Sequence, residues 1–150
     1  MIEVTRRIEA APQDVFGVLA DGWLYSGWVV GASAIRSVDE SWPAVGTRIH
    51  HSIGVWPLLI NDTTQVRECL PHRRLVLVAR GWPVGEGTVE LDLEDDGAGE
   101  CLVRMREDAS SGLIRFVPKP LRQAAIVPRN AESLRRLGLL VQGRRGGAPQ

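Results

Sequence analysis

The first residues alternate. In IEVTRRIE, Ile2, Val4 and Ile8 share one face with Arg6 among them, and this predicts a half-buried strand over 2–9. Ala11-Pro12 ends it, and Pro12 suits the first position of a helix. Val15, Phe16, Val18 and Leu19 then give residues 12–20 one apolar helical face. Gly22 and Gly27 break DGWLYSGWVV into a second short helix or turn. From 29 to 108 the period is two almost throughout, which predicts strands near 29–38, 46–55, 59–69, 73–80, 85–94 and 100–108. The breaks DESWPAVG, VWP, CLPHRR, GWPVG and EDDGAGE are short, so successive strands are expected to be antiparallel neighbours.

Residues 112–142 change period. Leu121, Ala124, Val127, Ala131, Leu134, Gly138 and Val141 recur every three or four positions, with Ser133, Arg135, Arg136 and Gln142 on other faces. The pattern predicts one long amphipathic helix, or two helical pieces meeting at Pro128. Gly143 reads as its cap, and the basic, Gly-rich end as a disordered tail, so the expected division is a domain over 1–142 and a tail over 143–150. The element order is strand, two short helices, six strands, long helix. That is an α+β arrangement: a seven-stranded antiparallel sheet wrapped around a long C-terminal helix that covers its apolar face. A curved sheet around one helix leaves space between them.

Composition narrows the function. The chain has 150 residues, 44% hydrophobic and 24% charged, the balance of one ordinary globular domain. Eighteen Lys plus Arg against eighteen Asp plus Glu give zero formal net charge, which argues against nucleic acid as a partner. No apolar run approaches the roughly 18 residues that span a bilayer, so no stable membrane insertion is expected. MIEVTRRIEAAP has no apolar signal core, and a cytoplasmic location is the expectation. Two cysteines make no disulfide framework, and the three histidines have no zinc spacing, so neither metal nor cofactor is expected. The Gly-rich run 81–87 lies in a hairpin rather than between strand and helix, and Ser110-Ser111-Gly112 is no nucleophile elbow. Arg129, Arg135, Arg136, Arg144 and Arg145 read as a solvated helix face.

Candidate chemistry comes from polar residues on apolar faces. Cys101, Val103 and Met105 carry Glu107 inward, beside Val89, Leu91 and Leu93 of the preceding strand; Ile49, Ile53 and Val55 carry His51; Ile60 and Val66 carry Asp62 and Thr64. A buried charge needs a partner. Arg6, inward on the first strand, is one candidate for a charge that needs answering. His51 has the ordinary acidity of a general base near neutral pH, and a cross-strand hydrogen bond to Asp62 would orient it. Asn130 would offer an amide to the interior or satisfy backbone freed at Pro128. Three of five tryptophans precede proline. Alternation of hairpins places Trp56-Pro57 and Trp82-Pro83 at one end, together with Trp23, Tyr25, Trp28 and the end of the last strand, and leaves Trp42 at the other. That aromatic end reads either as a mouth for a planar ligand or as a plug of minor core.

The opening VTRRIEAAPQDVFGVLADGWLYSGW, the hairpin ECLPHRRLVL and the strand CLVRMRED before a terminal helix resemble the superfamily that joins START lipid-transfer domains, birch-pollen-allergen-like proteins and polyketide cyclases/dehydrases. The resemblance covers about residues 1–142. It implies a helix-grip fold with a hydrophobic cavity, in which the first strand neighbours the last so that Arg6 is the expected partner of Glu107, and it implies no single chemistry. The expectation is a binder of a small hydrophobic or aromatic molecule, touched by Arg6, Tyr25, Trp28, His51, Trp56, Asp62, Trp82, Glu107 and Asn130. The alternative is a polyketide cyclase/dehydrase-like enzyme in which His51, Asp62 or Glu107 moves protons during aldol closure and water loss. A third reading is a protein-interaction module with a vestigial cavity. The ligand's identity and the oligomeric state, a homodimer included, are left open.

Overall fold

A computed structural model describes residues 1–53, 57, 59–81, 85–109 and 111–146. Seven strands, β1 (Ile2–Ile8), β2 (Ala32–Val38), β3 (Arg48–Ile53), β4 (Ile60–Leu70), β5 (Arg74–Gly81), β6 (Gly85–Asp95) and β7 (Cys101–Ala109), form one antiparallel sheet ordered β1-β7-β6-β5-β4-β3-β2. Between β1 and β2 lie α1 (Pro12–Leu19), a 3-10 turn at Gly22–Leu24 and α2 (Tyr25–Trp28). After β7, a 3-10 turn at Leu113–Phe116 leads into α3 (Lys119–Gly146). The α+β arrangement is therefore the one that the periodicity predicts, and it is the helix-grip fold that the resemblance implies. Among the described residues no helix is long and apolar enough to cross a membrane.

One topological expectation is corrected. Ile8 pairs with Cys101 and Ile2 with Glu107, so β1 ends where β7 begins, not where it finishes. Six antiparallel steps separate β1 from β2, so these edge strands run in the same direction. The α1–α2 segment must therefore carry the chain from one end of the sheet back to the other. Trp23 stays at the first end, 59% exposed and sharing a surface cleft with Trp42. Trp42 is buried and donates from Nε1 to the Leu19 carbonyl at 3.2 Å. Tyr25 and Trp28 come later in the return and sit under the sheet.

Strand alternation separates two faces. Inward lie Ile49, Val66, Leu75, Leu77, Leu91 and Val103, all buried. Outward, Arg74 bridges Glu68, Glu90 and Asp92, while Arg106 bridges Glu90 and Asp92. Opposite charges on neighbouring strands keep this face soluble and in register. The C-terminal half of α3 packs tightly: Leu134, Leu137 and Val141 are buried, and the helix rests on β1, α1 and α2.

The predicted apolar stripe of α3 needs correction in its first half. Leu121, Ala124, Val127 and Ala131 are exposed, and the buried line runs through Ile126, Asn130, Ser133, Leu134, Leu137, Gly138 and Val141. Tracing apolar residues alone misses that line because it turns polar at Asn130 and Ser133. The helix is continuous through the exposed Pro128, and it passes Gly143, expected as its cap, to end at Gly146. The four residues that follow lie outside the described ones. Gly85 is required where it stands: its φ is +126°, and a Cβ there would meet the Ser111 carbonyl oxygen at 1.9 Å. That approach, with the Glu86 N–H donating to Ser111 Oγ at 3.1 Å, pins the chain beyond β7 to the start of β6.

The two faces predict different sensitivities. Leu91→Ala, in the core, is expected to lower the unfolding free energy by about 2–5 kcal/mol. Arg104→Ala, on the outer face, is expected to change it by less than about 1 kcal/mol. Urea denaturation of both variants measures this, and equal losses would contradict the assignment of faces.

Candidate functional site

The sheet and the N-terminal half of α3 do not close on each other. Two hollows lie between them, of about 240 Å³ and about 230 Å³. An apolar cavity of about 150 Å³ accepts benzene, so each has room for a small ring system. The first has apolar walls at Trp28, Leu77, Val89 and Met105. The second is bounded by Ile60, Asp62, Ile114 and Ile126 near the start of β6. Ala79, Glu107 and Arg129 border both.

Glu107 is placed by its strand. Cys101, Val103 and Met105 are buried at alternate positions of β7, so the carboxylate two residues further on also points inward. Its partners come from α3. Arg129 Nη2 donates to both carboxylate oxygens, Asn130 Nδ2 donates to Oε2 at 2.8 Å, and Arg129 Nε donates to Asn130 Oδ1 at 3.3 Å. A buried carboxylate thus has both a counter-charge and an amide. The expected Arg6–Glu107 pair does not form. Arg6 is exposed and lies opposite Val103, four residues and about 13 Å along the strand from Glu107. It belongs to a surface depression beside Gly138. Strand adjacency was read correctly, but register decides the partner.

A second polar chain lies in the wall of the first hollow, which Tyr25 and His51 line. Tyr25 OH and Thr64 Oγ1 are 3.1 Å apart, and Thr64 Oγ1 is 2.8 Å from His51 Nε2. The Tyr25 ring stacks on His51 at 5.2 Å and meets Trp28 edge-on at 5.5 Å. His51 Nδ1 is buried with no hydrogen-bond partner. Burial, helped by the neighbouring charges of Arg36 and His50, pushes the His51 pKa down to about 4, so the ring is neutral near pH 7. Burial pushes the Tyr25 phenol up to about 12, despite its bond with Thr64. His51 and Asp62 are register partners, yet the expected bond between their side chains is absent. Asp62 Oδ1 accepts instead from the Thr63 N–H at 2.6 Å. Its carboxyl faces the second hollow, and burial pushes its pKa up to about 6.

The structure gathers Tyr25, Trp28, His51, Glu107 and Asn130 around the first hollow and puts Asp62 at the second. Trp56 and Trp82 lie outside the described residues, and Arg6 is not at the site. Three contributors were missed. By pattern alone Arg129 has the look of a solvated face, Thr64 is inward with no evident role, and Ser133 falls on another face. Ser133 is buried, and its Oγ accepts from the Val30 N–H at 3.1 Å, which ties α3 to the link between α2 and β2. Ile126, Arg129, Asn130 and Ser133 are spaced i, i+3, i+4, i+7, so helical geometry carried the signal that hydrophobicity alone hid. Among the described residues no three His, Cys, Asp or Glu side chains cluster as metal ligands.

The two shifted groups have opposite pH signatures. Native Asp62 favours its proton, so its contribution is complete below about pH 4 and is lost as pH rises through about 6. Native His51 resists protonation, so its contribution is complete above about pH 6.5 and is lost as pH falls through about 4. Between these values the two slopes, each up to about 1.4 kcal/mol per pH unit, offset one another. Relative to the wild type, Asp62→Asn should therefore lose stability on acidification across this window. His51→Gln should lose it as pH rises. Urea denaturation at pH 4.5 and 6.5 distinguishes them, and variant curves parallel to the wild type would refute both shifts.

Comparison with known proteins places this arrangement. None of the curated proteins matches the sequence. Among solved structures, a conserved protein from Geobacillus kaustophilus superposes with a TM-score of 0.74 at 10% identity, covering 95% of each chain. The Zhui aromatase/cyclase from Streptomyces sp. R1128 gives 0.69 at 16% identity, covering 99% of this chain and 98% of that one. Ara h 8.0201 gives 0.73 at 11% identity, covering 95% and 97%. At such identities these likenesses show the shared fold alone. The family model described as polyketide cyclase / dehydrase and lipid transport matches residues 1–142, and with that span matched the chain belongs to this family.

Proposed function

We propose that the protein binds a small hydrophobic or aromatic molecule in the first hollow, oriented by His51. One observation carries this reading: an apolar chamber is lined by His51, a ring whose Nδ1 is buried with no partner. Unsatisfied buried polar atoms are uncommon and costly, and a ligand group is one way to answer them.

The hydrogen-bond chain suggests which group. If Tyr25 donates to Thr64, and Thr64 donates to His51 Nε2, then every hydroxyl proton is used and Nδ1 carries the ring proton. The reverse order strands the Tyr25 proton as well. The economical order leaves an N–H donor, which fits a ligand with a carbonyl or similar acceptor. The Trp28 and Tyr25 rings supply flat apolar area beside it.

A second reading, a cyclase/dehydrase-like enzyme, is favoured by Asp62. A carboxyl pushed up to about 6 is suited to proton transfer near neutral pH, whereas His51 at about 4 is a weak base. The aromatase/cyclase from Streptomyces sp. R1128, which shares the fold, is consistent with such chemistry in it. On this reading Asp62→Asn lowers kcat for cyclisation of a poly-β-ketone more than it raises KM.

For binding, the probe is 2-acetylnaphthalene, with 2-ethylnaphthalene as the match that lacks the acceptor. The acetyl compound at a hundred times Kd stabilises the native state by about 2.7 kcal/mol, which raises Tm by several degrees. The wild type prefers it over the ethyl compound by about three- to tenfold, and His51→Leu loses that preference. No Tm shift across a panel of two-ring aromatic probes would reject ligand binding in the hollow.

A further inference from the structure

The two hollows are separated by very little. Their common border is Ala79, Glu107 and Arg129. Ala79 is a methyl group on β5, so the side chains that cross from sheet to helix between the hollows are Glu107 and Arg129. These two differ in freedom. The Glu107 side chain is 11% exposed, is carried by a strand hydrogen-bonded on both sides and has a second bond from Asn130. The Arg129 side chain is 42% exposed, with solvent within reach of the same guanidinium. A long arginine side chain pays little to point into water.

We infer that the Glu107–Arg129 bridge is a removable wall inside one longer chamber, and that this chamber takes an elongated hydrophobic ligand bearing a hydroxyl or amino donor that replaces Arg129 on Glu107. The inference rests on the ligand-binding reading above and names the ligand class. If Arg129 leaves, Glu107 keeps only the Asn130 amide, and a buried carboxylate so left is strongly disfavoured. The incoming molecule must supply a donor at that point. A plain hydrocarbon of the same shape is refused because it strips the carboxylate without answering it. A ligand carboxylate is refused by like charge. The joined volume, about twice that of either hollow, suits three or four fused rings, with one end against His51 and the middle against Glu107.

The test is a fluorescence titration with three-ring probes of one shape, 2-aminoanthracene, 2-methylanthracene and anthracene-2-carboxylate, against two-ring 2-naphthol. The wild type should bind the amine at least tenfold more tightly than the methyl compound and should refuse the acid. In Glu107→Gln, which keeps an acceptor but loses the charge that holds Arg129, amine-over-methyl preference should fall to threefold or less. The ratio of three-ring to two-ring affinity should rise about tenfold. Wild-type protein also gives a readout free of any folding defect: the Arg129 Nε–H resonance should move and exchange faster with water when 2-aminoanthracene saturates. An unmoved Arg129 resonance at saturation, or equal affinities for amine and methyl probes, overturns the wall. Failure of 2-naphthol and every three-ring probe to bind overturns the ligand-binding reading itself.

Discussion

An ionised carboxylate inside an apolar chamber must be answered by a counter-charge, and Glu107 imposes that condition on the architecture. It projects inward from β7, the strand next to the edge strand β1. Arg129 and Asn130 meet it from α3, so the helix is tied to the sheet here by polar groups rather than by interlocking apolar ones. From one to three turns later the same helix is held by Leu134, Leu137 and Val141 in ordinary core. The change from apolar packing to a long polar tie is what leaves room between helix and sheet.

That room then sets the chemistry of the groups around it. The dry surroundings push Asp62 up and His51 down, so both tend toward their neutral forms. Tyr25, Thr64 and His51 satisfy one another in a short chain that ends in an unpartnered nitrogen. The interior therefore combines apolar walls, few charges and a small number of directional groups. On the proposed reading, that combination is what a neutral, largely apolar molecule would meet without large desolvation.

Elements with a strong period were legible in the chain. Alternation from 29 to 108 gave six strands within three residues of their observed limits, because a sheet with one wet face must alternate. The same alternation put His51, Asp62, Thr64 and Glu107 inside, and all four are buried. Arg129 was illegible for a related reason. A charged residue beside other arginines on a helix has every appearance of a solvated face, and the carboxylate that draws it inward lies 22 residues away.

The sequence by itself determined which residues face inward and that the sheet must be covered by the last helix, since both follow from local period and from the need to bury apolar surface. Partnership was decided only in three dimensions. Register, not adjacency, put Ile2 rather than Arg6 opposite Glu107. The even number of antiparallel steps between the edge strands sent Trp23 to one end and Trp28 to the chamber. Hydrogen bonds and ion pairs act over about 3 Å, so a few residues of displacement along a strand change which groups meet while leaving the hydrophobic pattern untouched.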